Sequence, residues 1–221
     1  MSENLKLPTI QVDFGSVTIN TAETITDFIE GKNEMHIYDE RATRIREYAF
    51  YQFPFGKLRS VEMPNATEIR PRAFEGCYGI ISAKFPKVDT VWNNVFTNCG
   101  IRDLDIRNAT TLYKQAFYKS GARKLEFNGP VYLWEEVFLD SSLKALVLRS
   151  PQGYGISRYG ERALDNTPIA QGSGFIYVPE RLIEKYRTAE GWQQFNFKVL
   201  EEYTVDGTDT GEVDWEKIDK E

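Results

Sequence analysis

The stretch VWNNVF at Val91–Phe96 recurs along the chain with the same order of residue types. Each copy has an aliphatic residue, a large residue, two mostly polar residues, a small or branched aliphatic residue and a closing Phe. The copies are IREYAF, IRPRAF, VWNNVF, LYKQAF and LWEEVF, and they close at Phe50, Phe74, Phe96, Phe117 and Phe138. Successive closing Phe residues are therefore 24, 22, 21 and 21 residues apart. A period of twenty-odd residues is typical of a solenoid, in which stacked turns share one core.

A second pattern lies between the closing Phe residues and predicts one short parallel strand per turn. Apolar residues recur there at relative positions 1, 4 and 6, and the last two alternate with polar residues. Such alternation is typical of a strand with one buried face. The residues expected to face the core are Val61/Met63, Ala83/Phe85, Leu104/Ile106, Leu125/Phe127 and Leu146/Leu148. The segment before each closing Phe is expected to form an irregular helical turn or extended chain.

The pattern I-x-x-x-A-F-x-x-C-x-x-L-x-x-V-x-x-P, present in EIRPRAFEGCYGI and VWNNVFTNCG, resembles the BspA-like family of leucine-rich repeats. Such repeats occur in bacterial surface proteins, some protozoan proteins and some phage-associated proteins. The resemblance covers roughly Met35 to Pro179. It implies an α/β repeat solenoid of about five turns with terminal caps, and it implies a non-catalytic scaffold that binds partners.

The predicted organisation has four parts: an N-terminal cap module at 1–34, the solenoid at 35–179, a C-terminal cap at 180–203 and an acidic tail at 204–221. Caps are expected because the last apolar layer of a solenoid is otherwise exposed. The N-terminal module would hold strands within 9–19 and a short helix at 21–31, and its second interpretation is a docking element.

The C-terminal cap would hold an amphipathic helix and a closing strand at 197–203. The inward residues of that helix are expected to be Leu182, Ile183, Tyr186 and Trp192. Composition favours a solvated tail beyond it, although Trp215 and Ile218 have the spacing of a short helix that forms on a partner.

Composition limits the class of function. The 221 residues are 41% hydrophobic and 14% aromatic, enough to bury a sizeable core. The formal net charge of -6 disfavours nucleic-acid binding, which needs a basic surface. The first residues lack the pattern of a signal peptide, and no run reaches the ~18 apolar residues of a membrane span. We therefore expect a protein made in the cytoplasm and not inserted into a membrane.

No group of residues indicates a catalytic, cofactor or metal site, so neither an enzyme nor a bound cofactor is expected. The single histidine, His36, has Asp39 and Glu40 nearby but lacks the spacing of metal ligands. The adjacent pairs Glu135/Glu136 and Glu201/Glu202 diverge on any regular element, so neither pair forms a converging acid–base couple.

The two cysteines, Cys77 and Cys99, occupy equivalent positions in adjacent turns. Stacked turns would hold them roughly 5 Å apart, which is within disulfide reach. Ser120 and Ser141 take the same position in later copies, which favours small buried side chains and free thiols. Both interpretations remain open at the level of sequence.

The second residue of each copy forms the candidate partner-binding strip, because the aliphatic residue before it faces the core. The strip consists of Arg46, Arg70, Trp92, Tyr113 and Trp134. Exposed aromatic strips mark interaction sites, and Trp, Tyr and Arg are enriched in binding hot spots. In the alternative interpretation the rings stack on one another and shield the backbone.

These observations favour a protein-binding scaffold, and the first hypothesis is a phage virion component of the tail, baseplate or capsid. Its partners would be other virion proteins. The alternative is a bacterial surface adhesin that binds a host surface protein or a glycan at the cell surface. The outward strand positions are expected to be structural, since Glu62, Lys84 and Asp105 would form a charge ladder.

Overall fold

The structure is a computed structural model that describes residues 25–29, 34–53, 58–151, 154–200, 204–205 and 208–209. Its strands, in chain order, are β1 (Ile25–Ile29), β2 (Glu34–Tyr38), β3 (Arg44–Ile45), β4 (Leu58–Glu62), β5 (Glu68–Ile69), β6 (Ser82–Lys84), β7 (Thr90–Val91), β8 (Asp103–Asp105), β9 (Thr111–Leu112), β10 (Lys124–Phe127), β11 (Tyr132–Leu133), β12 (Ala145–Leu148), β13 (Phe175–Pro179), β14 (Phe197–Leu200), β15 (Thr204–Val205) and β16 (Thr208–Asp209). A 3₁₀ turn at Glu180–Leu182 leads into helix α1 (Ile183–Thr188).

The chain winds as a β-solenoid with two columns of parallel strands. The longer strands form two sheets, ordered β1-β2-β4-β6-β8 and β10-β12-β13-β14. Five two-residue strands form the second column, ordered β11-β9-β7-β5-β3, and β15 and β16 form a separate antiparallel pair. The prediction of one strand per turn is therefore incomplete, because the turns from β3 to β11 pair with their neighbours at two places.

The closing Phe residues form a continuous stack inside the solenoid, which we call the Phe spine: Phe50, Phe74, Phe96, Phe117 and Phe138. Their ring centroids are 4.8, 5.5, 5.1 and 5.1 Å apart along the stack, and all five side chains are buried. The predicted inward strand residues are buried beside the spine, except Leu104, which is half-buried. Leu104 lies on β8, at the end of the first sheet.

Two residues in each turn have left-handed backbone, and together they shape the loop around the closing Phe. One lies two positions before the closing residue, and the other two positions after it. The twelve residues are Tyr48, Gln52, Arg72, Gly76, Asn94, Asn98, Gln115, Lys119, Glu136, Asp140, Arg162 and Asn166. Around Phe74, the N–H groups of Arg72, Phe74 and Gly76 each donate to a carbonyl of the next turn. The predicted irregular segment is therefore a loop that extends the turn-to-turn hydrogen bonding.

The left-handed positions give a stability prediction. Asn98 has φ 52°, where a β-branched residue is strained. Asn98→Val is expected to lower the free energy of unfolding by about 1–2 kcal/mol in a urea titration. Asn98→Gly is the matched control and should keep the stability, because Gly76 occupies the equivalent position one turn earlier. Equal stability of the two variants would contradict this account of the loop.

A sixth turn follows the five that the closing Phe residues predict. The N–H of Phe138 donates to the carbonyl of Ala163, so Leu164 takes the place of a closing Phe. Arg162 and Asn166 supply its left-handed residues. This turn is hard to see in the sequence because its closing residue is Leu and its step is longer.

The predictions for the ends have mixed outcomes. The short helix predicted at 21–31 is wrong at Ile25–Ile29, which is strand β1 and pairs antiparallel with β2. The strands predicted within 9–19 lie outside the described residues. At the other end, the four predicted inward residues are buried, but α1 is shorter than the predicted helix: Leu182 lies in the 3₁₀ turn and Trp192 follows the helix. Strand β14 ends at Leu200, and the rest of the predicted closing strand, 201–203, lies outside the described residues. The α/β designation is not confirmed, because α1 is the one α-helix in the described parts of the chain.

Candidate functional site

The three aromatic residues of the candidate strip form a stack, which we call the ring column: Trp92, Tyr113 and Trp134. Trp92 and Tyr113 have centroids 4.6 Å apart and planes inclined by 3°, and Tyr113 and Trp134 are 5.2 Å apart at 21°. Each ring directly follows β7, β9 or β11, whose in-register pairing spaces the turns at roughly 4.8 Å. That spacing suits ring stacking. The stacking that the sequence left as an alternative is therefore present.

The first end of the ring column is closed by charged residues. The guanidinium of Arg70 lies over the Trp92 ring, 5.4 Å from its centroid. Glu68 accepts a 2.7 Å hydrogen bond from Trp92 Nε1 and pairs with Arg70 Nε and Arg44 Nε. These contacts fix the orientation of the indole. Arg46, the remaining residue of the predicted strip, is exposed one turn earlier.

The second end of the ring column is formed by Trp134, whose side chain is 38% exposed. In the next turn Arg158 lies beside Tyr132, which places Gly160 beside Trp134. A side chain at Gly160 would collide with the backbone carbonyl groups of Leu133 and Trp134. The column therefore ends because the sixth turn supplies no ring at the stacking position.

The surroundings of Trp134 combine aromatic and charged groups. Tyr132 packs edge-on against Trp134 with centroids 5.1 Å apart, and Arg158 lies over the Tyr132 ring at 5.7 Å. Two residues after Trp134, Glu136 pairs with Arg162 at 2.8 Å. Sequence reasoning found Trp134 but missed Tyr132, Gly160 and Glu68. The sixth turn and its glycine could have been found by aligning YGERAL with LWEEVF.

The family of the chain is decided by the repeats. A scan against protein-family profiles matches residues 43–167 to six copies of the BspA type Leucine rich repeat region. The match covers more than half of the chain, and six turns in the described part of the chain have paired left-handed residues. The chain belongs to the BspA-type leucine-rich-repeat family. The resemblance drawn from the repeated hexapeptides is confirmed. No curated protein matches the chain.

BspA-type repeats suggest a protein-interaction scaffold, and a leucine-rich-repeat solenoid typically binds partners without catalysing a reaction. The described helices are all too short or too polar to cross a membrane. Within the same residues, no three potential metal ligands come together. His36 Nδ1 lies 2.7 Å from Ser60 Oγ, while Asp39 is engaged by Arg41.

The outward strand positions form part of the predicted charge ladder. Lys84 pairs with Glu62 at 3.2 Å, whereas Asp105 pairs with Arg107 at 2.9 Å, within its own turn. A cleft of about 430 Å³ lies where β8 and β10 belong to different sheets. Its walls carry both charge signs, among them Arg102 and Glu126, so the cleft does not indicate a ligand of one charge.

Cys77 and Cys99 are buried free thiols in this BspA-type solenoid. The Cys77 Sγ donates to the carbonyl of Phe50 at 2.9 Å. Burial raises the pKa of the Cys77 thiol to about 12, and burial together with the neighbouring Cys77 raises the pKa of Cys99 well above its ordinary value. Both thiols are therefore protonated at neutral pH.

The raised pKa predicts slow alkylation. At pH 8, below the folded-state pKa, the thiolate fraction of Cys77 is expected to be about a thousandfold lower than that of an ordinary thiol. Iodoacetamide should leave both cysteines unmodified in the folded protein and modify both in denaturant, as judged by mass spectrometry. Rapid modification of folded protein would contradict the buried placement.

Ser120 and Ser141 occupy the cysteine position in later turns, and neither hydroxyl has a hydrogen-bond partner among the described residues. A buried hydroxyl without a partner costs stability. Ser120→Ala is therefore expected to raise the free energy of unfolding by about 1 kcal/mol in a urea titration. The exposed Ser142→Ala is the control. A loss of stability in Ser120→Ala would show that its hydroxyl is satisfied.

Proposed function

We propose that this BspA-type protein is a non-catalytic scaffold that binds another protein at the Trp134 end of the ring column. The proposal is based on one observation. The stack ends at the exposed indole of Trp134 because the next stacking position is Gly160, which has no side chain. Tyr113 stacks on a ring at each face, and Trp92 lies between the Tyr113 ring and the Arg70 guanidinium, whereas Trp134 stacks on one side.

The chemistry of this end suits a planar or cationic side chain from a partner. A large exposed indole next to a second aromatic ring is a typical binding hot spot. The other end of the same stack provides a precedent, since Arg70 lies over the Trp92 ring. A partner side chain would stack on the exposed face of Trp134, at the position beside Gly160. Sugar rings also stack on indole, so a glycan is the competing ligand.

For the biological context we retain the phage virion hypothesis, in which the chain is made in the cytoplasm and built into a tail, baseplate or capsid. Its support is the occurrence of such repeats in phage-associated proteins. Mass spectrometry of purified particles should then detect the chain, and its absence would remove this context. Detection on intact cells by surface labelling would instead favour the adhesin alternative.

The binding proposal is tested by comparing three immobilised proteins: the wild type, Trp134→Ala and Tyr78→Ala. Tyr78 is a matched control because it is 74% exposed and lies outside the ring column. Proteins retained from particle or cell extracts are quantified by mass spectrometry. The proposal expects a protein that wild type and Tyr78→Ala retain and Trp134→Ala loses. Identical retention by all three would overturn it.

A further inference from the structure

The outer face of the β10-β12-β13-β14 sheet, the face opposite the Phe spine, changes character along the chain. The corresponding outward positions of the first sheet, β1-β2-β4-β6-β8, are polar, as with Glu62 and Lys84. At the last three strands apolar side chains replace them and form a cluster separate from the main core. We call this cluster the outer patch: Ala145, Val147, Phe175, Tyr177 and Leu200.

The outer patch is buried although it faces away from the core. Val147 is 0% exposed, Ala145 1% and Tyr177 7%. The side chains of Glu62 and Lys84, at equivalent outward positions of earlier strands, are 41% and 54% exposed. One face of such a sheet can remain in contact with water, and a Tyr there would keep much of its ring accessible. The burial of the outer patch therefore indicates that further chain covers it.

Basic residues surround the outer patch. Lys198 Nζ lies 3.9 Å from the centroid of the Phe175 ring, and Arg149 pairs with Glu126. Lys124 begins the neighbouring strand β10. Each of these three basic residues, Lys124, Arg149 and Lys198, has an interaction partner. A covering segment should therefore combine apolar side chains with carboxylates.

The segment 201–221 has this composition. It contains nine Asp and Glu residues and two Lys residues, with Val213, Trp215 and Ile218 among its apolar residues. It begins directly after β14, whose last residue, Leu200, belongs to the outer patch. The hairpin of β15 and β16 reverses the chain a few residues later. The twelve residues 210–221 can extend about 40 Å, more than enough to cross strands spaced ~4.8 Å apart.

We propose that residues 210–221 cover the outer patch of the same chain, with Trp215 and Ile218 against the apolar side chains and the flanking carboxylates near the basic rim. This site is separate from the ring column, and it makes the acidic tail an intramolecular cover. A second copy of the chain, the N-terminal segment and an external partner are the competing occupants.

Carbodiimide crosslinking of the full-length protein tests the placement, because it joins carboxylates to lysines that are in contact. The proposal expects amide crosslinks from Asp or Glu residues in 212–221 to Lys124 or Lys198. Lys84, at an outward position of β6 in the first sheet, is the internal control and should not link to the tail. A mixture of ¹⁴N- and ¹⁵N-labelled protein distinguishes links within one chain from links between copies. Links between copies, links from 1–24 alone, or equal links to Lys84 would overturn the proposal.

Protease protection provides the second test. Cleavage after Glu212 and Glu216 by a Glu-specific protease should be about tenfold faster in Val147→Glu than in wild type, because the added carboxylate repels the tail. Ser82→Glu places the same charge on β6 and should leave the cleavage rate unchanged. Lys198→Glu should also accelerate cleavage, and it leaves the centre of the outer patch unaltered. It therefore tests the proposal even if Val147→Glu does not fold. Equal rates in wild type and Lys198→Glu would overturn the proposal.

Discussion

Phe96→Ala is expected to lower the free energy of unfolding by about 3–5 kcal/mol, the cost of truncating a fully buried aromatic side chain. Phe96 lies in the middle of the Phe spine, 5.5 Å from the Phe74 ring and 5.1 Å from the Phe117 ring. Truncation removes both stacking contacts and leaves a cavity between adjacent turns. Urea denaturation followed by circular dichroism measures the loss.

The control for Phe96→Ala is Tyr78→Ala, which removes an aromatic ring that is 74% exposed. Its stability should stay within about 0.5 kcal/mol of wild type, as for most surface substitutions. A solenoid is stabilised by contacts between neighbouring turns, so a gap in the spine weakens two interfaces. If Phe96→Ala lowers the free energy of unfolding by less than about 1 kcal/mol, the Phe spine is not the main source of the solenoid's stability.

Trp134→Ala is expected to weaken binding of the partner by about 30-fold or more, which corresponds to a hot-spot loss of about 2 kcal/mol. The indole is exposed at the end of the ring column and stacks on Tyr113 alone within the column. Its truncation removes the surface on which a partner side chain would stack. Titration calorimetry with the partner identified by differential retention measures the change.

Stability measurements separate this effect from misfolding. Trp134 is partly exposed, so its truncation should cost less stability than truncation of a spine residue. Glu68→Gln provides a second comparison, because it disturbs the Trp92 end of the column while leaving Trp134 in place. Binding reduced equally by both variants would assign the effect to the whole column instead of its exposed end.

The sequence predicted the solenoid because a repeated core requires repeated apolar residues. Phe74 and Phe96 recur at fixed positions, and the inward residues of each strand follow period two. The left-handed loops were not predictable in this way, since Arg72, Asn94 and Gln115 share a backbone conformation without sharing a residue type.

The errors at the ends also have physical causes. The apolar residues of 25–29 fit one face of a helix. The segment nevertheless forms strand β1 because it pairs with β2, and a pattern of neighbouring residues carries no information about that pairing. The outward position of Trp134 was predictable from the register of the repeat. Its exposed second face was not, because Gly160 belongs to the turn whose closing residue is Leu164.

Site-specific photo-crosslinking tests directly whether a partner protein binds at Trp134. A photoreactive phenylalanine is placed at position 134 in one protein and at position 78 in another, and both are irradiated in the presence of extracts that contain the partner. We expect a discrete adduct with one partner protein from position 134 and no such adduct from position 78. Adducts of equal yield at both positions, or none at position 134, would contradict a protein-binding site at the end of the ring column.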